Sequence, residues 1–284
     1  MAVTKISDLA SLFPLIYEDA LFVMRDNNIM TGLVTVLPRV DGYATRTVGI
    51  WNSATVMEVA DGVDFTTNTK FSQSSKATFS PSEKMAQFIV TDAMVSTAAG
   101  RANVRNQAAN ELGQAMAQKV DKDLIGVFAS LGNSIGTANN AITKTIAAGA
   151  ITLARLDNAR GRGSFVWHPT HWQDLWVELG SPTGTYAFTG DVANEALRQY
   201  FVGSWIGADH FTSNNIDIDG SDDAVSAFFT REAIALDPRD EVSFEEERDA
   251  SLRGWEINVH AGYAVGTWRA EHGTKITGDA TAPS

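Results

Sequence analysis

Apolar positions along the chain change period several times, and each change marks an element. Over residues 8–30, Leu9, Leu12, Phe13, Ile16, Ala20 and Val23 recur at helical spacing behind Ser7 or Asp8 as an N-cap, with Pro14 as a kink or restart. From Asp41 to Ser82 the period falls to two. Ala44, Arg46, Val48 and Ile50 alternate with Tyr43, Thr45 and Thr47, and Asp41-Gly42 and Asp61-Gly62 supply turns, which predicts a strand-rich arm. A long helix is predicted from Asn103 to Leu131, where Val104, Ala108, Leu112, Ala115, Met116, Val120, Leu124, Val127 and Phe128 keep three-four spacing without a proline. About 28 residues at ~1.5 Å each give a rod of ~42 Å. Leu131-Gly132-Asn133 supplies its stop.

The pattern over residues 133–236 is that of a compact α/β unit. Gly161-Arg162-Gly163-Ser164 precedes a short strand, Phe165-Val166-Trp167, and a helix opens at Pro169 or Thr170 with Trp172, Leu175, Trp176 and Leu179 on one face. A second helix is expected over Val192 to Tyr200. Strands are expected over Tyr200 to Asp209 and Ala227 to Leu236, the unit closing near Leu236-Asp237-Pro238. An acidic stretch, Glu241 to Asp249, then precedes a last long strand from Trp255 to Arg269.

The second half of the arm is poor in anything to bury. Between Thr66 and Ser82, nine of seventeen residues are Ser or Thr, and the only large apolar side chains are Phe71 and Phe79. A lone two-stranded ribbon is marginal in water, and ordering each residue costs about 1–2 kcal/mol of backbone entropy. The ribbon is therefore expected to find its partner surface on a neighbouring subunit, with Phe71 or Phe79 as the apolar anchor; a surface loop is the alternative.

Composition narrows the class. The chain has 284 residues, 44% hydrophobic and 20% charged, enough for one or two intertwined domains with a sizeable core. Cysteine is absent, which excludes disulfides, thiolate zinc sites and cysteine nucleophiles. The first residues carry no basic-then-apolar leader, and no apolar run approaches the ~18 residues of a membrane span, so neither secretion nor a membrane partner is expected. Residues 1–150 hold 12 Lys+Arg against 13 Asp+Glu, whereas 151–284 hold 10 against 21, so the net charge of −12 is almost wholly C-terminal. Such a surface repels polyphosphate. The densest basic pair, Arg160 and Arg162, neutralises too few phosphates for firm binding.

Three constellations invite chemistry, and each falls short of its pattern. His168, His171 and Asp174 are zinc-type residues, but the spacing is not His-Glu-x-x-His and no general-base glutamate lies between, so packing and capping of a Trp-rich helix explains them better. Asp217 to Asp223 echoes a calcium loop, yet its glycine comes two positions early and the twelfth position is Phe228, which favours an Asx-rich turn. Gly161-Arg162-Gly163 matches no phosphate loop, and no Gly-x-Ser-x-Gly elbow exists. No catalytic, metal or cofactor residues are assigned, and no enzyme activity is expected; a metal-dependent hydrolase is the reading from a different class.

The order of elements resembles that of tailed-phage major capsid proteins of the Hong Kong 97 type. Val56-Met57-Glu58-Val59-Ala60-Asp61-Gly62-Val63-Asp64-Phe65 looks like the descending part of the extended loop and Phe79-Ser80-Pro81-Ser82-Glu83-Lys84 like its return. His168-Pro169-x-x-Trp172-x-x-Leu175 resembles the strand-to-helix signature of the axial domain, and Gly254 to Arg269 the closing peripheral strands. The resemblance implies an α+β fold with an N-terminal arm at 1–40, an extended β-loop at 41–83, a peripheral domain with a spine helix at 84–132, an axial domain at 133–236, a return to the peripheral domain at 237–276 and a tail at 277–284.

It also implies a shell subunit that assembles with itself, in hexamers and pentamers, into an icosahedral container for double-stranded DNA. The virion is its place, with assembly in the bacterial host cytoplasm and portal, scaffolding or decoration proteins as further partners. An encapsulin-like compartment is the alternative within the same fold. Some relatives weld subunits by a Lys–Asn isopeptide bond; Lys70, Lys76 and Asn258 lie in the corresponding regions, but no local motif aligns them. Others begin with a cleaved scaffolding segment, for which Asp41 stands too near Met1. Inter-subunit contacts are expected at Lys70, Phe71, Lys76, Phe79, Lys84, Arg101, Arg105, Glu241, Glu245, Glu246 and Glu247, the acidic group meeting Lys84, Arg101 or Arg105 of a neighbour.

Overall fold

The computed structural model describes residues 29–51, 56–62, 64, 72–93, 98–180 and 204–283. The helices expected over most of 8–30 and over 192–200 lie outside these residues.

A four-residue helix, α1 (Met30–Leu33), leads into strand β1 (Thr35–Val36). A hairpin of β2 (Arg46–Trp51) and β3 (Gln73–Phe79) follows, then β4 (Ser82–Thr91) and the long helix α2 (Ala98–Gly126), which ends in a 3-10 turn over Val127–Ser130. The helix starts five residues before the expected Asn103, because its first turns carry no apolar stripe to announce them.

The second half of the chain continues with β5 (Asn133–Gly136), α3 (Lys144–Leu156), β6 (Gly163–Trp167), α4 (Pro169–Gly180), β7 (Ser204–Trp205), β8 (Ala208–Thr212), β9 (Asp223–Thr230), β10 (Ile234–Asp249), β11 (Gly254–Thr267) and β12 (Gly273–Asp279). Pro169 takes the first position of α4, where its missing N–H costs nothing, and Thr143 caps α3 by accepting from the N–H of Ile146.

These strands form two sheets besides the hairpin. One runs β1-β10-β11-β4; the other, six-stranded and mixed, runs β5-β12-β9-β6-β8-β7. The long helix covers one face of the first sheet: Leu112, Met116, Leu124 and Ile125 pack with Val90, Ile257, Val259 and Ala261. The same core reaches Val166, Ala227 and Phe229 on the second sheet, so the two sheets share apolar packing. The opposite face of the second sheet forms its own core, with Phe165, Trp167, Phe228 and Ile276 packed against Ala147, Ala150, Ile151 and Ala154 of α3 and Trp172 and Leu175 of α4. Burial on both faces explains why Phe165-Val166-Trp167 is a continuous apolar run rather than an alternating one.

Three expectations are corrected. The expected single strand over Tyr200 to Asp209 is split by a two-residue turn at Ile206-Gly207, both with positive φ, which joins β7 to β8. The acidic stretch is the second half of β10, and most of it pairs with β11. The boundary at 236/237 therefore falls inside β10. The boundary at 276/277 falls inside β12, which sits between β5 and β9 and belongs to the six-stranded sheet rather than to a tail.

Candidate inter-subunit surfaces

The hairpin is a separate two-stranded sheet, and neither of its strands pairs with a strand of the larger sheets. Its root is nevertheless seated in the subunit. Ala77 and Phe79 pack with Leu37, Ala235 and Ala264, flanked by Val48 and Trp268, and Phe79 has no exposed surface. Phe79 is thus an intramolecular anchor and not the expected contact with a neighbour, because its binding pocket is built from β10 and β11 of its own chain. Further out, Trp51, Val56, Met57 and Val59 are exposed. Lys76 is exposed on β3 and lines a cavity of about 530 Å³ beside Gly126, Ser130 and Glu271. Lys70 and Phe71 lie outside the described residues.

The four-stranded sheet has one face on the helix; on the other, the hairpin root and Tyr43 cover the end at Ala235, Gly262 and Ala264, and the part beyond has no cover among the described residues. Three rungs set out the open face: Met85, His260 and Ser243; Gln87, Asn258 and Glu245; Ile89, Glu256 and Glu247. Ser243 and His260 hydrogen-bond at 2.6 Å, and Gln87 donates to Glu256 at 3.1 Å. The side-chain carbonyl of Asn258 is buried with no partner among the described residues. Met85 and Ile89 are exposed on the edge strand β4, and Glu245 and Glu247 on the second half of β10, beyond its short pairing with β1. Charge along a free strand edge resists edge-to-edge pairing with another sheet.

The expected ionic partners are redistributed. Glu241 pairs with Arg39 of its own chain at 2.8 Å and stays largely exposed. Lys84 donates to Ser82 at 2.6 Å, and its ammonium lies 5.7 Å from the ring centre of Tyr263. Arg101 and Arg105 are in α2; their side chains and that of Glu246 lie outside the described residues.

The chemical candidates resolve into structure. His168 and His171 are buried. His171 Nδ1 shares a hydrogen bond of 2.7 Å with Ser226 Oγ, which also accepts from the backbone N–H of His168 at 3.0 Å. His171 Nε2 faces the Gly278–Asp279 backbone without a well-formed hydrogen bond. His168 Nδ1 meets Thr170 Oγ1 at 2.7 Å, and Asp174 accepts from the N–H of Ile142 at 3.1 Å. Burial lowers the pKa of both histidines and raises that of Asp174. All three side chains serve packing and capping, and no group of three or more metal-type ligands converges among the described residues.

The Asp217–Asp223 loop is an Asx turn: Asp219 Oδ1 accepts from the N–H groups of Ser221 at 2.8 Å and Asp223 at 3.0 Å. Arg162 is occupied by Asp209 and Ser204, and Arg160 is exposed. Among the described residues no helix is long and apolar enough to cross a membrane.

Sequence reasoning missed a buried ionic centre at the foot of the hairpin. Asp237 is wholly buried, and its two oxygens hold Arg46 of β2 at 3.0 Å and Arg239 at 2.7 Å. Nothing local signals it, because Arg46 and Asp237 stand 191 residues apart.

A family model described as phage capsid protein matches residues 86–276. No curated protein sequence matches the chain. Among solved structures, one from Mycobacterium phage Che8 is similar at 17% identity, covering 82% of this chain and 84% of that one with a TM-score of 0.63. One from Gordonia phage Cozz reaches a TM-score of 0.69 at 9% identity, over 89% and 87%. A virus-like particle from Pyrococcus furiosus is similar at 13% identity over 93% and 98%, with a TM-score of 0.61.

Proposed function

The chain belongs to the phage capsid protein family and has the Hong Kong 97-type fold, and from that premise we propose that it self-assembles into an icosahedral shell enclosing double-stranded DNA, inside the bacterial cell that produces the virion. The observation that carries the reading is the family match across both sheets, 86–276, joined to a hairpin whose outer part exposes Trp51, Val56, Met57 and Val59. Exposed apolar groups on an extended arm favour association. The arm lies across an adjacent subunit, and the open sheet face with Met85 and Ile89 supplies an apolar border to receive it. Many modest contacts repeated by closed symmetry sum to a stable container.

Packaging needs no affinity of the subunit for DNA. A net charge of −12, with Arg162 already paired, suits an interior that repels phosphate. A separate motor then fills the shell, and portal, scaffolding or decoration proteins complete it. The second reading, a protein nanocompartment, is favoured by the match to the Pyrococcus furiosus particle over 98% of that chain.

Negative-stain microscopy of the expressed chain tests the shell. Closed particles of uniform diameter are expected, and soluble monomers at every concentration would end the proposal. The contents of particles purified from infected cells separate the two readings: nuclease-protected DNA supports the virion, and protein cargo alone supports the compartment. In a gel shift, the isolated subunit is expected to leave duplex DNA unshifted at physiological salt; a complex stable to competitor would point to a nucleoprotein role instead.

A further inference from the structure

Arg46 and Phe79 are register partners in the hairpin rung nearest the body, so their side chains leave the same face of the ribbon. Phe79 enters its apolar pocket beside Gly266, where an added Cβ would come within 3.2 Å of the ring. Arg46 Nη1 donates to Asp237 Oδ1 at 3.0 Å and to the carbonyl of Pro38 at 2.8 Å. The other Asp237 oxygen takes two bonds from Arg239, whose remaining donor reaches the carbonyl of Gly42 at 3.1 Å. One carboxylate therefore holds the hairpin directly and, through Arg239, the loop that leads into it.

These two grips do different work. Apolar burial holds the root against the body but has no preferred direction, since the hydrophobic effect depends on area and not on angle. Charge-assisted hydrogen bonds are directional, and buried ion pairs contribute more to a specific arrangement than to net stability. Asp237 is fully buried and Arg239 almost so, which leaves no water to substitute for a displaced partner.

We propose that the Arg46–Asp237 pair is a positioning device that fixes the angle at which the hairpin leaves the subunit, and through it the angle between neighbouring subunits in the shell. The second clause rests on the shell reading above; the first does not.

Asp237 is a poor place to test this, because its removal leaves Arg239 buried and uncompensated. Arg46 is a quarter exposed, and Arg46→Met leaves the Asp237–Arg239 pair intact. Hydrogen exchange of the full chain before assembly reads the joint itself. In R46M the amides of Arg46–Trp51 and Gln73–Phe79 are expected to exchange about tenfold faster, with α2 and the β10–β11 ladder unchanged. Arg46→Lys, which keeps the charge but cannot serve both acceptors in the same geometry, is expected to fall between. Microscopy of the assembled variant reads the angle: particles of broadened diameter or open sheets are expected. Hairpin exchange like that of wild type in R46M overturns the positioning role, and faster exchange with shells of unaltered diameter overturns its link to curvature. A wild-type chain that forms no shells sinks the shell reading while the exchange result still decides the joint.

Discussion

The indole N–H of Trp167 donates to Nδ1 of His210 at 2.9 Å, and this bond requires the imidazole to be neutral. The other ring nitrogen then donates to the carbonyl of Trp205 at 3.2 Å. Phe165 stacks on the ring, Trp172 and Trp205 pack against it, and among the described residues Asp209 is the charged group acting on it. Burial pushes the His210 pKa down to about 4 and lowers those of His168 and His171, while Asp223 and Asp279 pull His171 part of the way back. The unfolded chain therefore takes up protons first as pH falls below about 6.5, and stability declines from there until the folded-state values are reached.

For His210 alone the loss by pH 5 is about 2 kcal/mol. Asp121 and Asp174, raised by burial, act in the opposite sense as pH falls, so the histidine contribution is read from the difference between wild type and a His210 variant. Thermal unfolding of unassembled subunits at pH 7 and pH 5 checks this. His210→Gln, which still offers Trp167 an acceptor, is expected to shrink the difference; an equal drop in both proteins would count against the assignment.

Phe79→Ala should destabilise the subunit by about 3–5 kcal/mol, because the ring is fully enclosed by residues of its own chain. Urea unfolding of the unassembled protein measures this. An anchor that worked only between subunits would leave that curve unchanged and show its effect solely in shell yield.

Gly136 ends β5 with φ of +86°, and a Cβ there would lie 2.2 Å from the carbonyl oxygen of Thr277 in β12. Gly136→Ala is therefore expected to cost about 2–4 kcal/mol from backbone strain and overpacking together. A melting temperature within a degree of wild type would show that the parallel β5–β12 pair is not closed as described.

Glu245 and Glu247 are exposed on the second half of β10, and Glu247 stands opposite Glu256. Reversal of both to Lys should leave subunit stability within about 0.5 kcal/mol, as for most surface changes. Assembly is expected to weaken and to recover in part when Lys84, Arg101 or Arg105 is reversed in turn. Normal shell yield from the reversed protein would mean that the acidic edge is merely solvated.

Much of the fold was legible wherever one face of an element is buried along its whole length. Leu112, Met116 and Leu124 mark the long helix because they all meet one sheet, and Trp172 and Leu175 mark α4 for the same reason. The failures share a cause. Phe79 reads as stranded among serines and threonines because its pocket comes from residues near 235 and 264. The acidic run does not announce itself as a strand, because ladder bonds to β11, invisible locally, hold most of it as one whose charges face solvent. In β12, Thr274 and Gly278 alternate with polar neighbours in place of large apolar residues, yet both are buried, the first by donating to the carbonyl of Ala150 at 3.0 Å. The surface positions were legible by charge alone, and charge gives no partner: Glu241 found Arg39, two hundred positions away along the same chain.

The β10–β11 hairpin is an excursion from the six-stranded sheet, leaving after β9 and returning before β12, and Phe229 and Gly273 at the two crossings are register partners. Tension on β10 and β11 thus enters the other sheet on two neighbouring strands, while β4 connects to it separately through α2 and β5. That tension draws the two strands along their axes, against β6 on one flank and β5 on the other. Rungs in that geometry are sheared together instead of being parted one by one. Pulled in that direction, β9 and β12 would part from their neighbours only when whole rows of backbone bonds fail at the same moment.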